Sequence, residues 1–143
     1  MKKLLIICTV VFIAVAGCRY EEGPKVSFNS VKNRLTGEWF IDEIKVKNVD
    51  KTADYKIAFV NYKLTIKKDG KYTLFYRPFN ITDYNEEGVW TLSDDKLKVS
   101  FLVSKGNNPG EKSTFNIQRL TNKQLWAIHI NGNGDEEYIK LKP

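Results

Sequence analysis

Cysteine is nearly missing from this chain of 143 residues: Cys8 and Cys18 are the only two, and both lie near the N-terminus. Everything after residue 18 therefore has no thiol for a disulfide, a zinc cluster or a nucleophile, and its stability has to come from packing. Histidine is scarcer still, with His129 alone. Alternation puts His129 on the outer side of its strand beside no other candidate ligand, so no metal site is expected. A Ser-His-acid arrangement would need a strained serine turn such as Gly-x-Ser-x-Gly, which is also missing. Carboxylate pairs occur at Glu86-Glu87 and Asp94-Asp95, but both read as turn positions where water, not burial, sets their chemistry. The stretch from Asn131 to Glu137 spaces oxygen atoms as a calcium loop does, yet it has Glu136 where such a loop requires glycine and reads as a hairpin turn. No catalytic set and no cofactor site emerges, and the expected class is non-enzymatic. Long apolar runs are absent except one, Leu4 to Ala16.

That run follows Lys2 and Lys3 and falls short of the ~20 residues that cross a bilayer, so it reads as a secretion signal. Ala16-Gly17 directly before Cys18 matches the lipobox of bacterial lipoproteins, which implies cleavage before Cys18 and acylation of its thiol. The alternatives are an uncleaved N-terminal helix and an ordinary secretory signal. On the lipoprotein reading, residues 1–17 are the signal, 18–28 a lipidated cysteine and flexible tether containing Gly23-Pro24, and 29–143 one folded domain. Two or three acyl chains would make the membrane a lasting partner. Arg19 stands where inner-membrane lipoproteins carry aspartate, and Tyr20-Glu21-Glu22 is similar to the acidic tract that sends some lipoproteins to the cell surface. Both imply an outer-membrane address, with the periplasmic and external faces left open.

The formal charge is +6, and Lys2 and Lys3 supply two of those positive charges. Much of the remaining excess sits in pairs such as Lys45/Lys47, Lys96/Lys98 and Lys140/Lys142, which on strands share a solvent face and discourage edge pairing. An envelope location removes nucleic acid as an expected partner.

From Gly37 onward, short alternating runs separated by turn residues predict strands at 38–47, 56–67, 72–77, 88–92, 96–104, 113–120, 124–130 and 137–142. A helical turn over 30–35, capped by Asn29 or Ser30, precedes them. The alternation slips between Ile41 and Ile44, as at a β-bulge, and Asp69-Gly70 marks the sharpest hairpin. Alternation places Leu97, Phe101, Phe115, Trp126, Ile128 and Ile130 among the interior side chains. The predicted class is all-β, an eight-stranded antiparallel up-and-down barrel; a sandwich is the competing architecture.

Leu35-Thr36-Gly37-Glu38-Trp39, Gly88-Val89-Trp90-Thr91-Leu92 and Leu120-Thr121-Asn122-Lys123-Gln124-Leu125 together give a chain that resembles the lipocalin-like lipoproteins of Bacteroidetes-type bacteria. The resemblance implies that Gly37 and Trp39 close one end of the barrel, with Lys140 where lipocalins stack an arginine on that indole. It also implies a small apolar ligand held in the barrel or at its mouth. Tyr72, Phe75, Tyr76, Phe79 and Tyr84, with Arg77 among them, form the densest aromatic segment. Tyr72, Tyr76, Arg77, Phe79 and Tyr84 are the candidate ligand-binding residues, Arg77 suiting an acidic headgroup or a sugar. The competing reading packs these rings under the loop that follows. Whether Trp39, Trp90, Phe101, Phe115 and Trp126 leave an internal hollow or fill it stays open at this level. The expected function is a monomeric, lipid-anchored binder of a small apolar or amphipathic ligand; the alternative is an interaction lipoprotein accessory to an outer-membrane complex, with an envelope protein as partner.

Overall fold

The computed structural model describes Tyr20 and residues 29–143. The expected signal, Cys18 and the rest of the tether lie outside the described residues. Ser30 caps the short helix α1 (Val31–Leu35) by accepting the Asn33 N–H at 3.1 Å. The chain then runs β1 (Gly37–Val46), β2 (Val49–Asp50), α2 (Thr52–Ala58), β3 (Phe59–Ile66), β4 (Lys71–Pro78), β5 (Tyr84–Leu92), β6 (Lys98–Lys105), β7 (Lys112–Leu120), β8 (Leu125–Ile130) and β9 (Glu136–Lys142). Long strands pair antiparallel in chain order, and β1 closes the sheet by pairing with β9. The result is a closed eight-stranded up-and-down barrel with the two-residue β2 as a flap on β1. The expected bulge is present: the β1–β9 register shifts between Ile41 and Glu43, letting β1 bend around the barrel. Asp69-Gly70 makes the β3–β4 turn, with Gly70 at φ +87°.

The two ends differ. One carries α1 and the turns at 67–70, 93–97 and 121–124, and it is sealed by Leu35, Trp39, Ile66 and Leu120, each no more than 2 % exposed. The Trp39 indole Nε1 donates to the Leu35 carbonyl at 2.8 Å, which ties α1 to this floor. Arg34 Nη1 donates to the Leu120 carbonyl at 2.6 Å. Tyr20 is buried here as well, its hydroxyl donating to the Lys96 carbonyl at 3.0 Å. The opposite end holds α2 and the loops at 79–83, 106–111 and 131–135. Between β1 and β3 the ladder covers only Gly37–Trp39 against Leu64–Ile66, and α2 packs against β1, β3 and β4 beyond it.

Several expectations need correction. Residues 56–58 end α2 rather than beginning a strand: Asp50 Oδ1 accepts the Thr52 N–H at 2.8 Å, Thr52 Oγ1 accepts the Ile44 N–H at 3.0 Å, and Tyr55 and Phe59 then meet one helical turn apart. β5 begins at Tyr84, four residues before the predicted strand. Leu97 lies outside the barrel because Lys96 takes a left-handed φ of +60° in the turn before β6. β8 faces the other way from its expected orientation. The register slips between Ile117 and Arg119, so Leu125, Ala127 and His129 point inward, and Trp126, Ile128 and Ile130 point out. Trp126 instead lies between two cations on the outer wall, Arg119 at 5.0 Å and Lys140 at 4.6 Å from its ring.

Candidate functional site

With Trp39 and Trp90 in the floor and Trp126 outside, the middle of the barrel is not filled. Three adjoining hollows of about 200, 200 and 100 Å³ occupy it. Tyr62, on β3, borders all three, and its hydroxyl has no hydrogen-bond partner among the described residues. The first hollow lies against Tyr72, Glu86, Phe101 and Glu111; the second lies under α2 against Tyr55, Phe59 and Tyr76; the smallest lies against Val99, Leu125, Ala127 and Leu141. Their lining is mostly apolar with a few convergent polar atoms, as in small-molecule sites.

Rings circle this space. Tyr55 meets Phe59 at 5.5 Å, Phe59 meets Tyr76 edge-on at 5.0 Å, and Tyr76 stacks on Tyr84 at 4.5 Å. Continuing around, Tyr72 meets Phe101 at 5.0 Å, Phe101 meets Phe115 at 5.8 Å, and Phe115 stacks on His129 at 4.6 Å. Glu86 joins the two halves: Tyr72 donates to its Oε1 at 2.7 Å and Tyr84 to its Oε2 at 2.6 Å. On the far side, Tyr55 donates to Glu137 Oε1 at 2.7 Å.

Of the residues singled out from sequence, Tyr72, Tyr76 and Tyr84 face the interior. Arg77 and Phe79 do not. β4 turns Tyr72, Leu74 and Tyr76 inward, so Arg77 points out, where its Nε contacts Asp83 Oδ1 at 2.5 Å. Phe79 sits at φ +48° in the loop and is 65 % exposed on the rim. Glu86 is not a solvated turn residue: it shares the inner face of β5 with Tyr84, Gly88 and Trp90. Extending the Trp90 alternation backwards by two steps would have found it. His129, expected outside, lies on the inner side, its Nδ1 3.0 Å from the Thr114 carbonyl oxygen. Reading 56–58 as strand hides Tyr55 and Phe59, which α2 brings together one helical turn apart. Tyr62 lies within the predicted strand, and continuing the Leu64 and Ile66 alternation back by one step finds it. The loop from Asn131 is held by its own bonds, Asn131 Oδ1 accepting the N–H groups of Asn133 and Asp135 at 2.9 and 3.0 Å.

Burial first, and then donation to Glu137, pushes the Tyr55 phenol up to about 12 from 10.0. Burial likewise raises Tyr62, Tyr72, Tyr76 and Tyr84, the charge of Glu86 adding to each, and in Tyr72 and Tyr84 the donated hydrogen bond to Glu86 adds more. Raised pKa values mean that the fold favours the protonated phenols. Their stabilisation is intact below pH 10.0, where unfolded tyrosine is also neutral, and is lost as pH climbs toward and beyond about 12. Alkaline titration should show the interior phenolates appearing together with loss of β-sheet circular dichroism; interior phenolates forming while the sheet signal holds would contradict this coupling.

A family model described as "Lipocalin-like domain" matches residues 35–126, well over half of the chain. A lipocalin-like protein from Bacteroides uniformis has the same fold, with a TM-score of 0.52 and 14% identity over 76% of this chain and 97% of that one. An uncharacterized protein from Bacteroides eggerthii matches at a TM-score of 0.49 and 15% identity, over 76% of this chain and 98% of that one. No curated protein matches significantly. Barrel topology, the Gly37-x-Trp39 start and the family match agree, and the chain belongs to the lipocalin-like domain family.

Proposed function

We propose that this protein is a non-enzymatic binder of a small apolar or amphipathic ligand, anchored in the outer membrane through acyl chains on Cys18. The observation that carries the binding reading is the unfilled mid-barrel space around Tyr62, above a floor in which Trp39 is buried. The anchor reading rests on the charged start, the short apolar run and Ala16-Gly17-Cys18. Native mass spectrometry of protein extracted from its own envelope tests both at once. The expected spectrum carries the mass of an acylated chain beginning at Cys18 together with a retained small molecule. An unacylated chain would overturn the anchor.

Filling the space gives a separate check. Ala127 is 5 % exposed and borders the smallest hollow, so Ala127→Phe puts a ring where the ligand's apolar part would lie. The expected outcome in calorimetric titration is loss of binding of a short-chain alcohol. Overpacking should cost only about 1–3 kcal/mol of stability. Unchanged affinity in a folded variant would count against the interior as the site.

A further inference from the structure

The sign of the charge inside the barrel is opposite to that of the chain. Formal charge over the whole sequence is +6, yet the first hollow is bordered by Glu86 and Glu111 and by no lysine or arginine. Glu86 forms no ion pair among the described residues. Its partners, the Tyr72 and Tyr84 hydroxyls, are neutral donors: they occupy one acceptor position on each oxygen and disperse the negative charge without cancelling it. A half-buried carboxylate in such surroundings gains most from a cation that enters the same space.

The rings beside Glu86 suit that cation. Tyr72 and Phe101 border the hollow, Tyr76 stacks on Tyr84 alongside, and Tyr62 presents an unpartnered hydroxyl. Aromatic faces next to a carboxylate attract ammonium groups, and more strongly where water is excluded. Below this region the smallest hollow is walled by Val99, Leu125, Ala127 and Leu141, with no charged side chain on its wall. The site thus has an anionic, aromatic part and an adjoining apolar part. Arg77, which from sequence suited an acidic headgroup, faces away from it.

We infer that the barrel takes an amphipathic amine or quaternary ammonium compound, its cationic head against Glu86 and the surrounding tyrosines and its short apolar tail toward Ala127. This rests on the proposed reading of the interior as a binding site. An acidic ligand of the same shape would meet Glu86 and Glu111 as like charges. A neutral one would fill the apolar part but leave the Glu86 charge unmatched.

The test compares hexyltrimethylammonium, 1-hexanol and hexanoate by isothermal titration calorimetry on the full folded protein at fixed, low ionic strength. Hexyltrimethylammonium is expected to bind about 10-fold or more tightly than hexanoate, an advantage of the order of a desolvated cation–π and ion-pair contact. Adsorption to the positively charged surface would give the reverse order, so the preference is diagnostic of the interior. In Glu86→Gln the advantage should vanish while 1-hexanol binding persists. Hexanoate binding as tightly as the ammonium in the unaltered protein would overturn the inference without recourse to any variant. So would a folded Glu86→Gln protein that keeps the preference. If 1-hexanol binds and the ammonium gains nothing, the headgroup assignment alone fails; if none of the three binds, the proposed binding function fails with it.

Discussion

Trp39→Ala is expected to lower the free energy of unfolding by about 3–5 kcal/mol. The indole is 2 % exposed and packs in the floor with Leu35, Ile66 and Leu120, so its removal opens a void where neighbouring strands and α1 converge. It also takes away the N–H that satisfies the Leu35 carbonyl at 2.8 Å, leaving a buried acceptor without a partner. For a domain whose total stability is of order 5–15 kcal/mol, that is a large fraction. Urea unfolding followed by circular dichroism measures it. Trp39→Phe separates the contributions: it keeps most of the ring and loses the donor, and should cost about 1–3 kcal/mol. Equal losses in the two variants would mean that the hydrogen bond, not the ring, holds the floor.

Gly88→Ala is expected to cost at least about 3 kcal/mol although it adds a single methyl group. A Cβ at this position would collide with the Leu102 carbonyl oxygen and stand 2.5 Å from Tyr72 Cε1. The first obstacle is backbone of the neighbouring strand β6, which cannot rotate away; the second is a ring fixed between Phe101 and Glu86. Relief requires both that β5 and β6 part and that Tyr72 leave its place, which breaks its 2.7 Å bond to Glu86. Thermal unfolding should show the loss, and spectrophotometric titration should show Tyr72 ionising closer to an ordinary tyrosine. A variant as stable as the parent would mean that the β5–β6 ladder is far more compliant than its register indicates.

Much of the barrel was readable from sequence because one face of most strands is apolar and the other is not. Ile41 and Ile44 exposed the bulge, since only an extra residue brings both to the same side. Asp69-Gly70 exposed a hairpin, because Gly70 needs a positive φ. Where both faces of a strand are apolar, the rule has nothing to decide with: Leu125-Trp126-Ala127-Ile128 is apolar throughout, and only the slip near Arg119, set by tertiary pairing, chooses Ala127 over Trp126. α2 was hidden for a different reason. Tyr55, Ile57 and Phe59 alternate as on a strand, but Tyr55 and Phe59 are also one helical turn apart, and Thr52 held by Asp50 and Ile44 favours the helix. Sequence alone reads Glu86 as a solvated turn residue, because a charged residue in a loop-like stretch is most often solvated. Two tyrosines that meet it only after β4 and β5 pair make it an interior group.

Tyr20, its hydroxyl donating to the Lys96 carbonyl under the floor, would orient the protein on the proposed anchor. Cys18 is two residues away, no more than about 7 Å of extended chain. Were Cys18 acylated as proposed, the bilayer would lie near the sealed end, with the α2 end about 20 Å further out, a strand's length corrected for tilt. Ligand would then be exchanged with the surrounding fluid and not drawn directly from the lipid leaflet, as by a cup fixed to a wall by its base.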